Sequence, residues 1–484
     1  MHRSLRRSRI TAAAAAGTLA VSLTATSYVE TSAAVPAGPS GPTITLEDQT
    51  SLSGGVDIAT DPSSDISYVG WISDNATNPQ LREVHLCVLP VEAKGCTGGN
   101  FTASAIDGAS AAGIQVEVTA PGVVTLVWFH QAGLTTGMLA TATYANGVLS
   151  PSVDVAAAPS NGVLFDVVPG PDGLLWALTR DHSGEAQNLQ LRQGLAGVPQ
   201  PFNALFPVGH ASLAFAGSKP IVIASQAGSI SGAVHYSSGL PFTPFQPIPK
   251  TWSLGLFHDL VATKKGVRMI GSEDNANYRP VVGRWKGSSF STPRLIGENQ
   301  ACPALTFDLV TDASGRLANV SERCGKLGIY NLPDTKKAAI KRFASGGTIS
   351  GAPQISTTKR GYGWVAWSIL SPIQGSKLMV RPVRLPALMK QKSAQEKGNK
   401  VTVTGPASCL PVVTVRGKVK TNPAKGWNLA SRQLKLDGDN VNSPVKIDGA
   451  KLAAGSKHVL LGKGVFKKGN QTVTVTKKFR FTAC

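Results

Sequence analysis

The chain has 484 residues, 42% of them hydrophobic and 16% charged, with 51 Gly, 31 Pro and a formal net charge of +20. That apolar content supports a buried core and excludes a largely disordered chain, while the many Gly and Pro favour short strands and frequent turns over long helices. Length alone would divide the chain into about three domains of roughly 150 residues each, an expectation that a sequence repeat overrides.

Residues 1–34 read as a secretory signal peptide. Arg3, Arg6, Arg7 and Arg9 form a basic start, Ile10 to Ala25 is a mildly apolar run, and the small residues up to Ala37 offer cleavage after Ala34 or Ala37. The run is short and alanine-rich, where a spanning helix needs about 20 apolar residues. The expectation is a secreted, extracellular protein with no transmembrane segment after signal cleavage, free to associate with the cell wall. Cysteines of an exported chain pair. Six allow fifteen connectivities, and proximity favours Cys87 with Cys96, Cys302 with Cys324, and Cys409 with Cys484.

From there a repeat organises residues 38–389. Its clearest copy is Phe307 to Val320, two apolar runs around a turn carrying Asp312, Ser314 and Gly315. Seven residues before the turn glycine stands a polar residue: Asp308 before Gly315, Asp259 before Gly266, Asp166 before Gly173, Gln115 before Gly122, His210 before Gly217 and Gln354 before Gly361. Asp57 to Asp65 is a seventh copy with one inserted residue. Second-strand anchors at Trp71, Trp128, Trp176, Ile223, Ile270, Val320 and Trp367 are 57, 48, 47, 47, 50 and 47 residues apart. A four-stranded propeller blade needs about 40 to 50 residues, and these segments lack the 3.6-residue periodicity of helical repeats. The fold class expected is therefore all-β, a seven-bladed β-propeller. Its seventh unit lacks an outer strand, and Thr43 to Asp48 precedes the first unit, so an N-terminal strand near 43–48 is expected to close the ring.

The composition then changes. Residues 390–484 carry 19 Lys or Arg against 4 Asp or Glu, whereas residues 35–389 carry 25 against 23. Residues 390–398, rich in Lys and Gln, read as a linker. Alternating stretches within 399–484 read as the strands of a small basic β-sandwich, resembling immunoglobulin-like modules.

In a propeller the first strand of each blade lines the central channel. Asp57, Gln115, Asp166, His210, Asp259, Asp308 and Gln354 would then ring one channel mouth, where they could hold a hard cation such as Ca²⁺, grip a glycan, or place an acid and a base across a glycosidic bond. Against this stands a purely architectural reading, in which each residue satisfies a backbone group of its blade. His258 is expected in the core, because it points away from the channel if Asp259 points into it. Asp61 and Asp172 read as ordinary turn residues. On the C-terminal module, Lys418, Lys420, Lys425, Lys463, Lys467, Lys468, Lys477 and Lys478 fall at strand ends and hairpins, and would attract polyanions. Four aromatic residues in this module, Trp427, Phe466, Phe479 and Phe481, are too few for a specific nucleic-acid reader.

The D-x-x-G turns, the second strands L-V-W-F at 126–129 and W-V-A-W at 364–367, the Ala-rich signal and the appended sandwich resemble secreted β-propeller proteins of high-GC Gram-positive bacteria. The resemblance implies an architecture and carries no catalytic residue set. It points to a secreted non-enzymatic binding protein for a glycan or anionic cell-wall polymer. The alternatives are a carbohydrate-active hydrolase or lyase using the channel-mouth carboxylates, and a scaffold binding a protein partner on the disc face.

Overall fold

The computed structural model describes residues 38–484 apart from residue 40 and short internal stretches, the longest being 182–187, 227–233, 253–257, 274–279, 296–303, 312–316 and 332–338. The chain is all-β, with one 3-10 helix, Gly449–Lys451, among the described residues. None of its described helices is long and apolar enough to cross a membrane.

Seven antiparallel sheets succeed one another between Leu52 and Arg384 among the described residues. Their first strands are Leu52–Thr60, Ala112–Ala120, Val163–Pro169, Val208–Ala216, Asp259–Val261, Ala304–Thr311 and Thr348–Thr357. Each touches the next, and the last touches the first, which is the closed arrangement of a β-propeller. Sheet seven gains its outer strand from the other end of the chain. Ile44–Thr50 pairs antiparallel with Gly375–Arg384, Ile44 opposite Val380, and the Lys377 ammonium donates to Asp48 at 3.0 Å.

The second strands lie between neighbouring sheets, so they bury both faces and read as continuous apolar runs. In Ile66–Asp74, Val69 and Trp71 pack toward sheet seven, while Tyr68 and Ile72 pack toward sheet two. Gly70 lets sheet two approach, since a Cβ there would stand 2.6 Å from Val116 Cγ2. Trp71, Trp128 and Trp367 are wholly buried, and the Trp367 indole donates to the Ser345 carbonyl at 2.8 Å. The first spacing, 57 residues, includes a long excursion after Leu81–Pro90 that the Cys87–Cys96 disulfide closes. Cys302 and Cys324 lie outside the described residues.

The remaining strands form two sheets around one core that includes Val401, Val419, Leu460, Phe466 and Phe479. One sheet contains Met389–Glu396, Asn399–Pro406, Thr414–Asn422 and Val445–Asp448. The other contains Cys409–Leu410, Asn428–Leu436, Asp439–Val441, Lys457–Lys468 and Gln471–Ala483. The stretch expected as a linker, residues 390–398, is instead a strand and its turn. Met389–Glu396 pairs with Asn399–Pro406 through Lys397 and Gly398, both at positive φ, the geometry a two-residue hairpin needs. Its side chains are exposed apart from Ala394, as suits an edge strand, so no apolar alternation betrays it. Cys484 is disulfide-bonded, and its N–H donates to the Leu410 carbonyl at 2.8 Å, beside Cys409, whose side chain lies outside the described residues.

Trp367→Ala should destabilise the protein by about 3–5 kcal/mol, as truncation of a buried Trp does. Leu370→Ala, three residues on and 51% exposed, should shift stability by less than about 0.5 kcal/mol. Chemical denaturation of both variants checks the contrast.

Candidate functional site

Alternation along a strand puts residues i, i+2 and i+4 on one face. The first strands thereby direct a column of side chains each into one central cavity of about 640 Å³. All seven residues singled out by the repeat line it: Asp57, Gln115, Asp166, His210, Asp259, Asp308 and Gln354. The cavity also takes in Glu117, Ser212 and His258.

Six of the seven occupy one level. Asp57 stands opposite Gly70, Gln115 opposite Val127, Asp166 opposite Leu178, Asp259 opposite Ile270, Asp308 opposite Val320, and Gln354 opposite Ala366. In sheet four that level belongs to Ser212, opposite Ile223, and His210 sits two residues earlier. The reason is the turn. Ala216 pairs directly with Lys219, so Gly217 is the first of two turn residues with no bulge between it and Ser212, whereas Gly122 of sheet two is the second of its two and follows a bulge between Val118 and Ala120; counting back seven from Gly217 therefore overshoots by two. Two residues is one full strand period, so His210 still faces the channel.

The four ring aspartates have a common occupation. Each accepts the N–H of a residue in another sheet's first strand: Asp57 from Val116 at 2.6 Å, Asp166 from Leu213 at 2.7 Å, Asp259 from Leu309 at 2.8 Å, and Asp308 from Ile355. Asp259 also accepts the N–H of the residue that follows it, Leu260, at 2.6 Å. The carboxylates are thus clasps that hold each sheet to the next. His210 and Ser212 do related work in sheet four, where both donate to the His258 carbonyl at 3.0 Å. Asp61 proves to be more than a turn residue. One of its oxygens accepts the Ser63 N–H and hydroxyl, and the other accepts the Gly122 N–H of sheet two at 2.9 Å. Asp172 ties its turn to its own sheet through the Trp176 indole and Gln193 amide.

Glu117 differs from all of these. It lies two residues beyond Gln115, hence on the same face and one level nearer the strand turn. The corresponding residues of sheets one, three, six and seven are small or aliphatic: Ala59, Val168, Val310 and Ser356. Its carboxyl has no hydrogen-bond partner among the described residues, and it feels the charges of Asp57 and Asp166 on the flanking sheets. The repeat concealed it, because the count from the turn glycine stops at Gln115. The available signal was its spacing, a glutamate two residues on in an otherwise aliphatic strand.

Burial governs the titration of the channel. It raises Asp57 to about 7, Asp166 to about 8 and Asp259 to about 7, with repulsion between carboxylates adding to it and the accepted N–H groups opposing it. Glu117 and Asp308 are pushed well above the ordinary carboxylate range, again first by burial. Asp259 and Asp308 interact directly, an arrangement that keeps a proton on the pair. His210 falls to about 4 and His258 falls well below its usual value, both through burial, so both rings are neutral at pH 7. His258 is fully buried as well as lining the cavity, its ring 4.9 Å from that of His210. Much of the channel is therefore uncharged near neutrality, and offers hydroxyl-like donors and acceptors rather than a dense negative field. Among the described residues no group of three or more His, Cys, Asp or Glu is placed to hold a metal ion, so the Ca²⁺ expectation gains no ligand set.

The lysines expected to attract polyanions divide between the two C-terminal sheets. Lys418 and Lys420 lie on Thr414–Asn422 of the four-stranded sheet. Lys463, Lys467, Lys468, Lys477 and Lys478 lie on Lys457–Lys468 and Gln471–Ala483 of the five-stranded sheet, and Lys425 lies in a turn.

No family model matches the chain, and no curated protein matches it. Solved structures overlap it at low similarity. A protein of unknown function from Dyadobacter fermentans aligns with TM-score 0.44 and 9% identity over 72% of this chain and all of its own. The Dos1 propeller aligns at 0.40 and 10% identity, covering 70% of this chain and 95% of its own. An alpha-L-arabinanase from Penicillium chrysogenum, complexed with arabinobiose, aligns at 0.43 and 11% identity over 71% of this chain and 99% of its own. At such scores no residue, ligand or activity carries over.

Asp166→Ala leaves the Leu213 N–H without its acceptor, and should cost about 1–3 kcal/mol. Asp166→Asn keeps an acceptor and removes the titration. Because the folded protein holds the Asp166 proton up to about pH 8 while the unfolded chain releases it near 4, wild type should lose stability relative to Asp166→Asn as pH rises between about 4 and 8, and the difference should level off above that. Denaturation of both proteins across this range checks the sign.

Proposed function

We propose that this chain is a secreted binding protein, a seven-bladed β-propeller with an immunoglobulin-like C-terminal module, that holds a glycan in its central channel without cleaving it. The observation that carries this reading is the engagement of all four ring aspartates as clasps between sheets. Glycosidic hydrolysis ordinarily requires two carboxyl groups acting together, one as acid and one as base or nucleophile. Here Glu117 is the one channel carboxyl among the described residues that no N–H holds. Gln115, Gln354, Ser356 and the carboxyls that stay protonated line the same cavity, and amides, hydroxyls and neutral acids can both donate to and accept from sugar hydroxyls. The basic module would draw the protein to anionic polymers at the cell surface.

A second reading has one observation in its favour. Glu117, kept protonated beside Asp57 and Asp166, has the character of a general acid. It predicts a hydrolase or lyase.

A glycan and cell-wall polymer array, followed by a turnover assay on each polymer bound, separates the two. The binding reading expects Glu117→Gln to lower affinity by about tenfold or less, the scale of one neutral hydrogen bond, with no product released by either protein. Product release by wild type that Glu117→Gln abolishes would replace it with the enzymatic reading.

A further inference from the structure

The four-stranded C-terminal sheet turns one face away from the sandwich core, and that face carries an ordered row of cations. On Thr414–Asn422, burial alternates: Gly417 and Val419 are buried, while Arg416, Lys418 and Lys420 are exposed. The strand is interior, with Asn399–Pro406 on one side and Val445–Asp448 on the other. Lys446 stands directly opposite Arg416, and Lys400 lies opposite Asn422, next along the same face. The adjoining outward positions are uncharged. Thr402 is opposite Lys420 and shares a 2.9 Å hydrogen bond with Ser393, while Thr404, opposite Lys418, is buried. The acid on this face, Asp448 at its far end, already accepts the Ala450 N–H at 3.1 Å.

Spacing distinguishes this face from general basicity. Alternate residues of a strand advance about 6.6–6.8 Å, so Arg416, Lys418 and Lys420 present three charges at that interval in a straight line. Three backbone bonds advance a polypeptide by about 3.3–3.6 Å, and a polymer with six bonds between successive charges therefore advances about 7 Å per charge when extended. A three-carbon polyol phosphodiester has that six-bond repeat. A single-stranded nucleic acid shares it, but bases need aromatic platforms to stack on, and the outward positions of these strands carry no aromatic residue: besides Met389 and Asp448 at the ends they are mainly Gln, Ser, Thr, Asn, Lys and Arg. The opposite face lacks the regular row. Along Lys457–Lys468, Val459, Leu461 and Val465 interrupt Lys457, Lys463 and Lys467.

We propose that this face is a docking site for a linear polyol phosphodiester, which lies along Thr414–Asn422 with successive phosphates on Arg416, Lys418 and Lys420. Lys446 and Lys400 flank the track, and the neighbouring hydroxyls and amides meet the polyol oxygens. The inference rests on the reading that the basic module attracts polyanions, and narrows it to one face and one spacing.

The test titrates the full chain with a synthetic glycerol-phosphate oligomer across a salt series, with oligothymidylate as a second probe. Each phosphate contact contributes about 0.7 to the slope of log affinity against log salt for a flexible single strand. The combined variant Arg416→Gln, Lys418→Gln, Lys420→Gln should therefore lower that slope by about 2, while Lys463→Gln, Lys467→Gln, Lys478→Gln should leave it nearly unchanged. Both variants alter exposed side chains and should melt with wild type. Equal losses from the two variants would overturn the site while leaving polyanion attraction intact. Tighter binding of oligothymidylate would replace the occupant with nucleic acid. Failure of wild type to bind either probe at low salt would defeat the broader reading as well.

Discussion

The first strand of each sheet is an edge strand, and half of its N–H groups face a neighbour rather than a ladder partner. A propeller must satisfy these groups at its narrowest point, where there is little room for a further strand. This chain meets the demand with aspartate. One carboxyl accepts an N–H from another sheet's first strand, and the device occurs at Asp57, Asp166, Asp259 and Asp308. Apolar packing between second strands supplies most of the burial, as around Trp71 and Trp128. The clasps determine how closely the inner strands converge.

That solution shapes the chemistry of the channel. Carboxyls buried near one another cannot all ionise, so their protons are retained to unusually high pH, and the imidazoles of His210 and His258 remain neutral for the same reason of burial. A channel that looks acidic by composition is therefore largely neutral near pH 7. Among the described residues, Glu117 is the channel carboxyl free of any clasp, in a level otherwise made of small and aliphatic side chains. The carboxyls that serve as clasps and the one that does not lie one strand period apart in level.

Much of this architecture was legible in the residues. The spacing of Trp71, Trp128 and Trp367 reflects second strands buried on both faces, a pattern that persists because each must fit between two sheets. The polar residue before each turn marked the channel level, since strand parity carries it there. What the residues could not express was partnership. Nothing local to Asp166 distinguishes a ligand from an acceptor for Leu213, forty-seven residues away. The count slipped at His210 because Gly217 opens its turn and no bulge precedes it, and Ser212 took the level. Glu117 was hidden by its neighbour Gln115. Residues 390–398 resembled a linker because an exposed edge strand has no buried face to impose alternation, and the division of the lysines between two sheets was hidden because a sequence does not reveal which sheet each strand joins.

Amide hydrogen exchange at Val116, Leu213, Leu309 and Ile355 tests the clasp account most directly. These four N–H groups have carboxyl oxygens as acceptors, so they should exchange as slowly as core amides, and Asp166→Ala should release Leu213 selectively. Exchange of the four amides in wild type at the rate of surface loops would contradict the account, and would return the aspartates to the pool of groups free to act on a ligand.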